Sequence, residues 1–180
     1  MRSWAPLTDE HQAGSYHREM NQPPAKRPSE SFTELVQVVL PNDANPLGFI
    51  LGGTVMHLID IAGAIACSRH TRTLLVTAAV DGVQFLHPIK VGDLIILRAT
   101  VTAAFRTSLE VEVEVFCEET LTGNRKMTSR AYLTFVAIDQ AGGRVQIPAL
   151  LLDTEAEREK ARQAETRRVE RLKARKHLTM

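Results

Sequence analysis

The order of hydrophobic and polar positions predicts one strand, then one long helix, then a series of strands. Residues 32–40 are β-rich and partly alternating, and a turn cluster at residues 41–46 ends them. From about Thr54 to Arg69, apolar residues recur at helical spacing. The other side of this helix carries small and polar residues, so we expect it to be buried on one side and closely approachable on the other. The apolar stripe comprises Val55, Leu58, Ile59, Ala62, Ile65 and Ala66.

Four further strands are predicted after the helix, joined by turns that contain Gly, Pro or Asn. Residues 109–115 alternate strictly between apolar and acidic side chains, which predicts one face in the core and one in solvent. The pattern therefore predicts an α+β fold in which one curled antiparallel sheet of about five strands wraps a central helix. The predicted strands cover residues 74–86, 94–104, 108–118 and 129–138.

Composition divides the chain into three parts. Residues 1–30 are polar and rich in turn formers, which predicts a flexible N-terminal arm. Residues 31–152 contain the predicted strands and central helix and form one domain. Residues 153–180 have acidic residues first and basic residues last, the order that a helix dipole favours. This last part predicts a solvated C-terminal helix, which is either a solubilising tail or a basic arm near a ligand phosphate.

Charge and composition exclude several classes of function. The net charge is +1 and only 5% of the residues are aromatic, so no nucleic-acid partner is expected. The apolar runs are too short for membrane insertion and no secretory signal precedes the domain, so the predicted location is cytoplasmic. Cys67 and Cys117 are interpreted as small core residues in a reducing compartment. No clustered Cys/His pattern suggests a metal site.

Candidate chemistry concentrates between Asn45 and Asp60. Gly52 and Gly53 begin the predicted helix, where unpaired N–H groups and their partial positive charge suit a developing oxyanion. Asp60 lies two turns further along, among apolar neighbours. A carboxylate there is either paired across an interface or acts as a general base or nucleophile. Asn45 alone indicates a turn and gains weight only in this combination.

This combination resembles the first block of the hotdog-fold acyl-CoA thioesterases of the cytosolic acyl-CoA hydrolase type. The matching residues are Asn45 and Gly48, then Leu51-Gly52-Gly53, Asp60 and Ala62-Gly63. Later segments resemble the other blocks of the family in the same order, and the matched order is more specific than any one motif. These segments are residues 80–93, 107–111, 131–139 and 148–150, and the likeness covers roughly residues 32–176.

The resemblance implies a hotdog fold and hydrolysis of acyl-CoA to free acid and CoA without a metal or other cofactor. Asn45 of one subunit would meet Asp60 of another and would orient the water or the thioester carbonyl. Asp60 would activate the water or attack directly, and the Gly53 N–H would stabilise the oxyanion. The resemblance also implies a homo-oligomer. This would be at least a dimer, and a trimer of dimers by analogy with other members of the family. Matched residues expected to bind substrate are Gly52, Val80, Asp81, Phe85, Thr107 and Ser108.

Several interpretations stay open. Arg69 and His70 end the helix, where they suit its dipole or contact CoA phosphates. His57 is either a packing or interface histidine or an aid to proton transfer. Residues 43–47 also resemble a motif of hotdog enoyl-CoA hydratases, but Gly48 stands where those enzymes need a histidine. A sensor that binds acyl-CoA without hydrolysis is the alternative outside the enzymes, and the basic residues 167–176 would then contact its partner.

Overall fold

A computed structural model describes residues 23–178, in which five strands form one antiparallel sheet in the order β1-β3-β4-β5-β2. The two long helices pack on opposite faces of this sheet, which confirms the predicted α+β architecture. None of the helices in the described part is long and apolar enough to cross a membrane. The elements are β1 (Thr33–Val38), α1 (Gly52–Thr71), β2 (Leu74–Asp81), β3 (Leu94–Ala104), β4 (Ser108–Glu118), β5 (Arg125–Ile138) and α2 (Glu155–Leu178).

Several element boundaries differ from the prediction. Helix α1 begins two residues before Thr54, and it ends where Arg72 takes a left-handed conformation and donates its N–H to the Ser68 carbonyl. Strand β2 stops at Asp81 rather than at residue 86, because Gly82 has a positive φ of 29° and turns the chain away. Strand β5 begins four residues earlier than predicted, at Arg125.

The core lies between α1 and the inner face of the sheet. Inward residues of β3, β4 and β5 meet Val55, Leu58 and Ile59 of the helix in one hydrophobic cluster. Helix and sheet approach closely at Gly63, where an added Cβ atom would lie 3.2 Å from the Phe135 and Val111 side chains. The inward residues of β4 are the apolar half of the predicted alternation, Leu109, Val111, Val113 and Val115.

Both cysteines are free and buried, as expected from their apolar surroundings. Burial raises the pKa of the Cys67 thiol well above its ordinary value. Burial, followed by the charge of Asp93, raises the pKa of Cys117 to about 11. Both groups are therefore neutral thiols at physiological pH and behave as small core residues.

The outer face of the sheet was predicted to be acidic and solvated, and the second part of that prediction is wrong. Glu110 is fully buried and Glu112 is 5% exposed, because α2 lies across them. Arg167 Nη2 lies 2.7 Å from Glu110 Oε1, Arg171 also pairs with Glu110, and Lys160 pairs with Glu112. The predicted C-terminal helix is confirmed, while its predicted solvation is wrong for the side that carries these three cations. Because the apolar stripe of α2 is thin, ion pairs and the hydrocarbon parts of long side chains cover this part of the sheet.

The segment before β1 is fixed to the body of the domain. Lys26 exchanges backbone hydrogen bonds with Ala149 and Leu151, and its Nζ donates to the His70 carbonyl over 2.7 Å. That carbonyl lies at the C-terminal end of α1, where the helix dipole favours a cation. Most of the predicted flexible arm, residues 1–22, lies outside the described residues. The contacts of Lys26 place the start of the ordered body before the predicted boundary at residue 31.

Candidate active site

Asn45 lies in the turn before α1, and its side chain is part of that turn. Its Oδ1 accepts hydrogen bonds from the N–H groups of Leu47 (3.0 Å) and Phe49 (3.2 Å). Because both partners are donors, they assign the oxygen of the amide to the turn and hold the side chain in place. The Nδ2 group has no partner among the described residues, so Asn45 is available as a hydrogen-bond donor.

Gly48 completes the same turn in a backbone conformation that favours glycine. Its φ is +79°, and its N–H donates to the Asn45 carbonyl over 2.9 Å. A histidine at this position would carry backbone strain of about 1–3 kcal/mol. The conformation of the turn therefore favours glycine at position 48 over the histidine that the hydratases need.

The start of α1 opens onto a cavity of about 390 Å³ that Asn45, Gly52 and Phe85 line together. The Phe85 ring lies over Gly52, where an added Cβ atom would be 3.3 Å from it. Gly53 is exposed, and an added Cβ atom would meet nothing within 4 Å. The N–H groups of Gly52 and Gly53 precede the first turn of helical hydrogen bonds and lack helical partners. The structure thus brings Asn45 together with the helix start.

Asp60 is half-buried on the side of α1 that faces away from the sheet core. Its Oδ1 accepts a 2.8 Å hydrogen bond from the Thr77 hydroxyl of β2. Its other oxygen has no partner in the described part of the chain. Thr77 holds the carboxylate in one orientation and leaves one oxygen available to a water molecule, which is the arrangement that a general base needs.

Within one chain, Asn45 and Asp60 lie apart. Asn45 precedes the helix start, and Asp60 is eight residues beyond Gly52, about 12 Å along the helix axis. Asp60 does not line the cavity that contains Asn45 and Gly52. The two side chains of a single subunit therefore do not hold one water molecule between them.

Three of the predicted substrate-binding residues meet in a second cavity, on the outer face of the sheet. This cavity of about 440 Å³ is lined by Asp81, Thr107 and Ser108 together with arginines of α2. Asp81 forms an ion pair with Arg171. Val80 lies one residue earlier on β2, on the edge of the sheet, and is 43% exposed.

Arg69 and His70 are held by the protein itself. Arg69 Nη1 donates to the Phe32 carbonyl and to the Thr33 hydroxyl, so its guanidinium fastens β1 to the end of α1. His70 is fully buried, and its Nε2 lies 3.0 Å from the Pro148 carbonyl. Burial lowers the pKa of His70, so the ring is neutral near pH 7. The structure does not bring either residue to the two cavities.

Sequence reasoning missed Thr77 and did not place the basic residues of α2 at the outer cavity. A threonine in a strand is ordinary, and no pattern within β2 distinguishes this one. The basic residues of α2 were noted, but periodicity does not tell which of them turn toward the sheet. Among residues 23–178, no group of three or more His, Cys, Asp or Glu side chains is placed to hold a metal ion.

Sequence comparison assigns the region around the site to a known family. The family described as "Thioesterase superfamily" matches residues 47–124. The chain is 37% identical over 138 residues to an uncharacterized acyl-CoA thioester hydrolase of Bacillus subtilis (strain 168), which covers 77% of this chain and 80% of the relative. Mammalian relatives, among them a cytosolic acyl coenzyme A thioester hydrolase of Homo sapiens (32% identical over 134 residues), are longer, and the chain spans about a third of their length or less.

Solved structures share the fold at similar identity. An apo-hexameric acyl-CoA thioesterase superposes with a TM-score of 0.80 and 36% identity, over 84% of this chain and 97% of that chain. An acyl-CoA hydrolase of Staphylococcus aureus, solved with butyryl coenzyme A, coenzyme A and coenzyme A disulfide, gives a TM-score of 0.74 and 31% identity. That match covers 87% of this chain and the whole of the other.

Further structures of the Staphylococcus aureus hydrolase carry single alanine replacements of an asparagine, an aspartate and a threonine. In that protein, the asparagine lies 15 positions before the aspartate, and the threonine lies 17 positions after it. Asn45, Asp60 and Thr77 have the same spacing here. Fold, identity and spacing agree, and this chain belongs to the thioesterase superfamily, with the hotdog fold of its acyl-CoA thioester hydrolases.

Proposed function

We propose that this protein hydrolyses acyl-CoA thioesters to a free carboxylic acid and CoA. The observation that carries the proposal is the Asp60 carboxylate, which Thr77 holds through one oxygen while the other is open to water. The Staphylococcus aureus relative that shares this spacing of asparagine, aspartate and threonine is an acyl-CoA hydrolase.

In the proposed reaction, Asp60 acts as a general base. It takes a proton from a water molecule, whose oxygen attacks the thioester carbonyl carbon. The N–H of Gly53 stabilises the oxyanion, an interaction whose loss typically costs about 10²–10³ in rate. The carbon–sulfur bond then breaks, and the proton held by Asp60 returns to the CoA thiolate. The products are the carboxylic acid and CoA.

Asn45 is proposed to act on the Asp60 site of a neighbouring subunit. The turn occupies its Oδ1, so its Nδ2 donates a hydrogen bond to the thioester carbonyl. The distance between Asn45 and Asp60 along one chain supports a site formed by two chains. A donor on the carbonyl oxygen adds to the charge stabilisation supplied by the helix start.

The geometry of α1 supports a symmetric dimer with two such sites. Gly53 and Asp60 are equally far along the helix from the pair Met56–His57. Met56 and His57 are both exposed, on the same side of the helix as Asp60. A two-fold axis that passes between them would set two α1 helices antiparallel, with the helix start of each beside Asp60 of the other. His57 would then be an interface residue.

Edge strand β2 supports the same dimer. It forms one border of the sheet and exposes apolar side chains on both faces of that border. An unpaired edge with an apolar surface is unfavourable in water, and contact with a second copy would cover it. The exposed apolar residues of the strand are Leu74, Val76 and Val80. Assembly of such dimers into a hexamer, and the location in the cytoplasm, stay predictions.

Mixing two inactive variants tests whether each site is shared between subunits. Asn45→Ala and Asp60→Ala are each expected to abolish most turnover. In a dimer that combines the two, one site is wholly mutant and the other has native Asn45 and native Asp60. Random exchange after partial unfolding and refolding should therefore restore about a quarter of the native turnover. No recovery in verified mixed dimers would place both residues in the site of one chain.

Release of free thiol from a panel of acyl-CoA substrates tests the function itself. The purified protein should release one CoA thiol for each carboxylic acid formed, with the best turnover at one range of acyl lengths. Binding of acyl-CoA without thiol release across the whole panel would support the sensor and contradict hydrolysis. Hydration of an enoyl-CoA is disfavoured because Gly48 provides no imidazole.

A further inference from the structure

Phe85 places an exposed aromatic ring against the start of α1. The residue is 52% exposed, and its ring lies over Gly52, where an added Cβ atom would be 3.3 Å from one ring carbon and 3.4 Å from another. We propose that this ring is a specificity residue, which limits branching at the first carbon of the acyl group, the carbon bonded to the thioester carbonyl. The proposal rests on the proposed function and names the class of acyl group that the site accepts.

The backbone is hydrogen-bonded on both sides of Phe85, so the ring has a defined place. Strand β2 pairs with β5 as far as Asp81, four residues before Phe85. Leu86, the next residue, donates its N–H to the Thr128 carbonyl over 2.8 Å. Because Gly52 has no side chain, the ring contacts the helix backbone directly. The ring is therefore a wall of the cavity at the first turn of α1.

The proposed oxyanion donor is the next residue along the backbone. Gly53 follows Gly52 in α1, and consecutive Cα atoms are about 3.8 Å apart. A carbonyl oxygen that accepts a hydrogen bond from the Gly53 N–H lies about 3 Å from that nitrogen. The first acyl carbon is only two bonds from this oxygen, so its substituents lie beside the ring. Two methyl groups on that carbon leave it no slim side to turn toward Phe85, whereas branches further along the chain lie farther from the ring.

The exposed side of the ring is available to hydrocarbon. Ile50, Val55 and Ile89 line the same cavity, so apolar surface continues beyond Phe85. Covering an exposed aromatic ring with an apolar group is favourable in water. An unbranched first carbon can lie along the ring, while a fully branched one must push it away from the helix.

Two substitutions of opposite size test this role of Phe85. The measured quantity is kcat/KM for a 2,2-dimethyl acyl-CoA divided by that for its straight-chain isomer. Phe85→Ala should raise this ratio about tenfold, since one methyl group in an apolar pocket changes selectivity by that much or more. Phe85→Trp should lower it. The corresponding ratio for the 3,3-dimethyl isomer, whose branch is one carbon further on, should change little in both variants. All isomers share the acyl length that the unaltered protein hydrolyses best among those long enough to carry both branches.

Phe32→Ala is the matched control. Phe32 is similarly exposed, at 46%, but it lines a cavity that contains no residue of α1. Its replacement should leave both ratios unchanged.

Opposite shifts from the smaller and the larger side chain would support the inference, because loss of a merely supporting contact lowers kcat/KM for all isomers together. An equal fall for the three isomers, or an unchanged ratio in Phe85→Ala, would overturn it. If the unaltered protein hydrolyses no straight-chain acyl-CoA, the proposed function fails instead.

Discussion

Replacement of Asp60 by asparagine should lower kcat about 1000-fold, within the range that a positioned general base contributes. Asparagine keeps the size of the side chain and an oxygen that accepts the Thr77 hydrogen bond, but it does not take a proton from water. KM should change little, because Asp60 is proposed to act on the water and not on the substrate. Thiol release under saturating acyl-CoA measures the effect, and native mass measurement checks that the oligomer is intact.

Thr77→Val is the companion variant for this prediction. Valine has nearly the same shape and removes only the hydroxyl that donates to Asp60 over 2.8 Å. Loss of the orienting hydrogen bond should cost about tenfold in kcat, equivalent to about 1.4 kcal/mol, with the base still present. If Asp60→Asn retains more than a tenth of the native turnover, Asp60 is not the base. If Thr77→Val is as inactive as Asp60→Asn, the threonine itself takes part in the chemistry.

Replacement of Glu110 by alanine should destabilise the fold by about 3 kcal/mol, which corresponds to a fall in Tm of roughly 6–12 °C. Glu110 is fully buried, and both Arg167 and Arg171 pair with it. Removing the carboxylate leaves two cations without their shared partner in a place that water reaches poorly. Thermal unfolding at one fixed protein concentration measures the change, because the proposed assembly makes Tm depend on concentration.

Glu114→Ala provides the control for Glu110. Glu114 lies on the same face of β4 and pairs with Arg130 at 2.7 Å, but both side chains are partly exposed. Such a pair contributes about 0–1 kcal/mol, so the fall in Tm should be small. Limited proteolysis should cut α2 faster in the Glu110 variant alone. Equal behaviour of the two variants would show that α2 is held by something other than the buried carboxylate.

The sequence predicted the layers of the fold but not what covers the second face of the sheet. The alternation in β4 correctly separates the core residues from the glutamates. It does not reveal that Glu110 and Glu112 are buried, because hydrophobic periodicity treats every charged position as solvent-facing. Burial here depends on arginine and lysine side chains of α2, whose hydrocarbon stems cover surface while their ends pair with carboxylates.

The candidate site also depends on packing that the sequence does not show. Asn45, Gly52 and Asp60 each have a local sequence pattern. Asn45 lies in a cluster of turn residues, Gly52 begins a helix, and Asp60 is a carboxylate on an apolar helix. Thr77 contacts Asp60 only through the packing of β2 beside α1, which local sequence does not specify. Arg69 is a residue for which the sequence suggested a ligand contact that the structure does not show. An arginine at a helix end suits a phosphate, but its guanidinium donates to the backbone carbonyl of Phe32.

The order of strands in the sheet also has a consequence for biosynthesis. Strand β2 pairs with β5, although β3 and β4 lie between them in the sequence. On a ribosome that adds 5–20 residues per second, β2 therefore waits about 3–11 seconds after Asp81 is added before Ile138 completes its partner strand. During this interval the strand that carries Thr77 and faces the proposed dimer partner has no place in a sheet. We therefore expect subunits to complete their own sheets before they dimerise, and the proposed shared active site to form between finished domains.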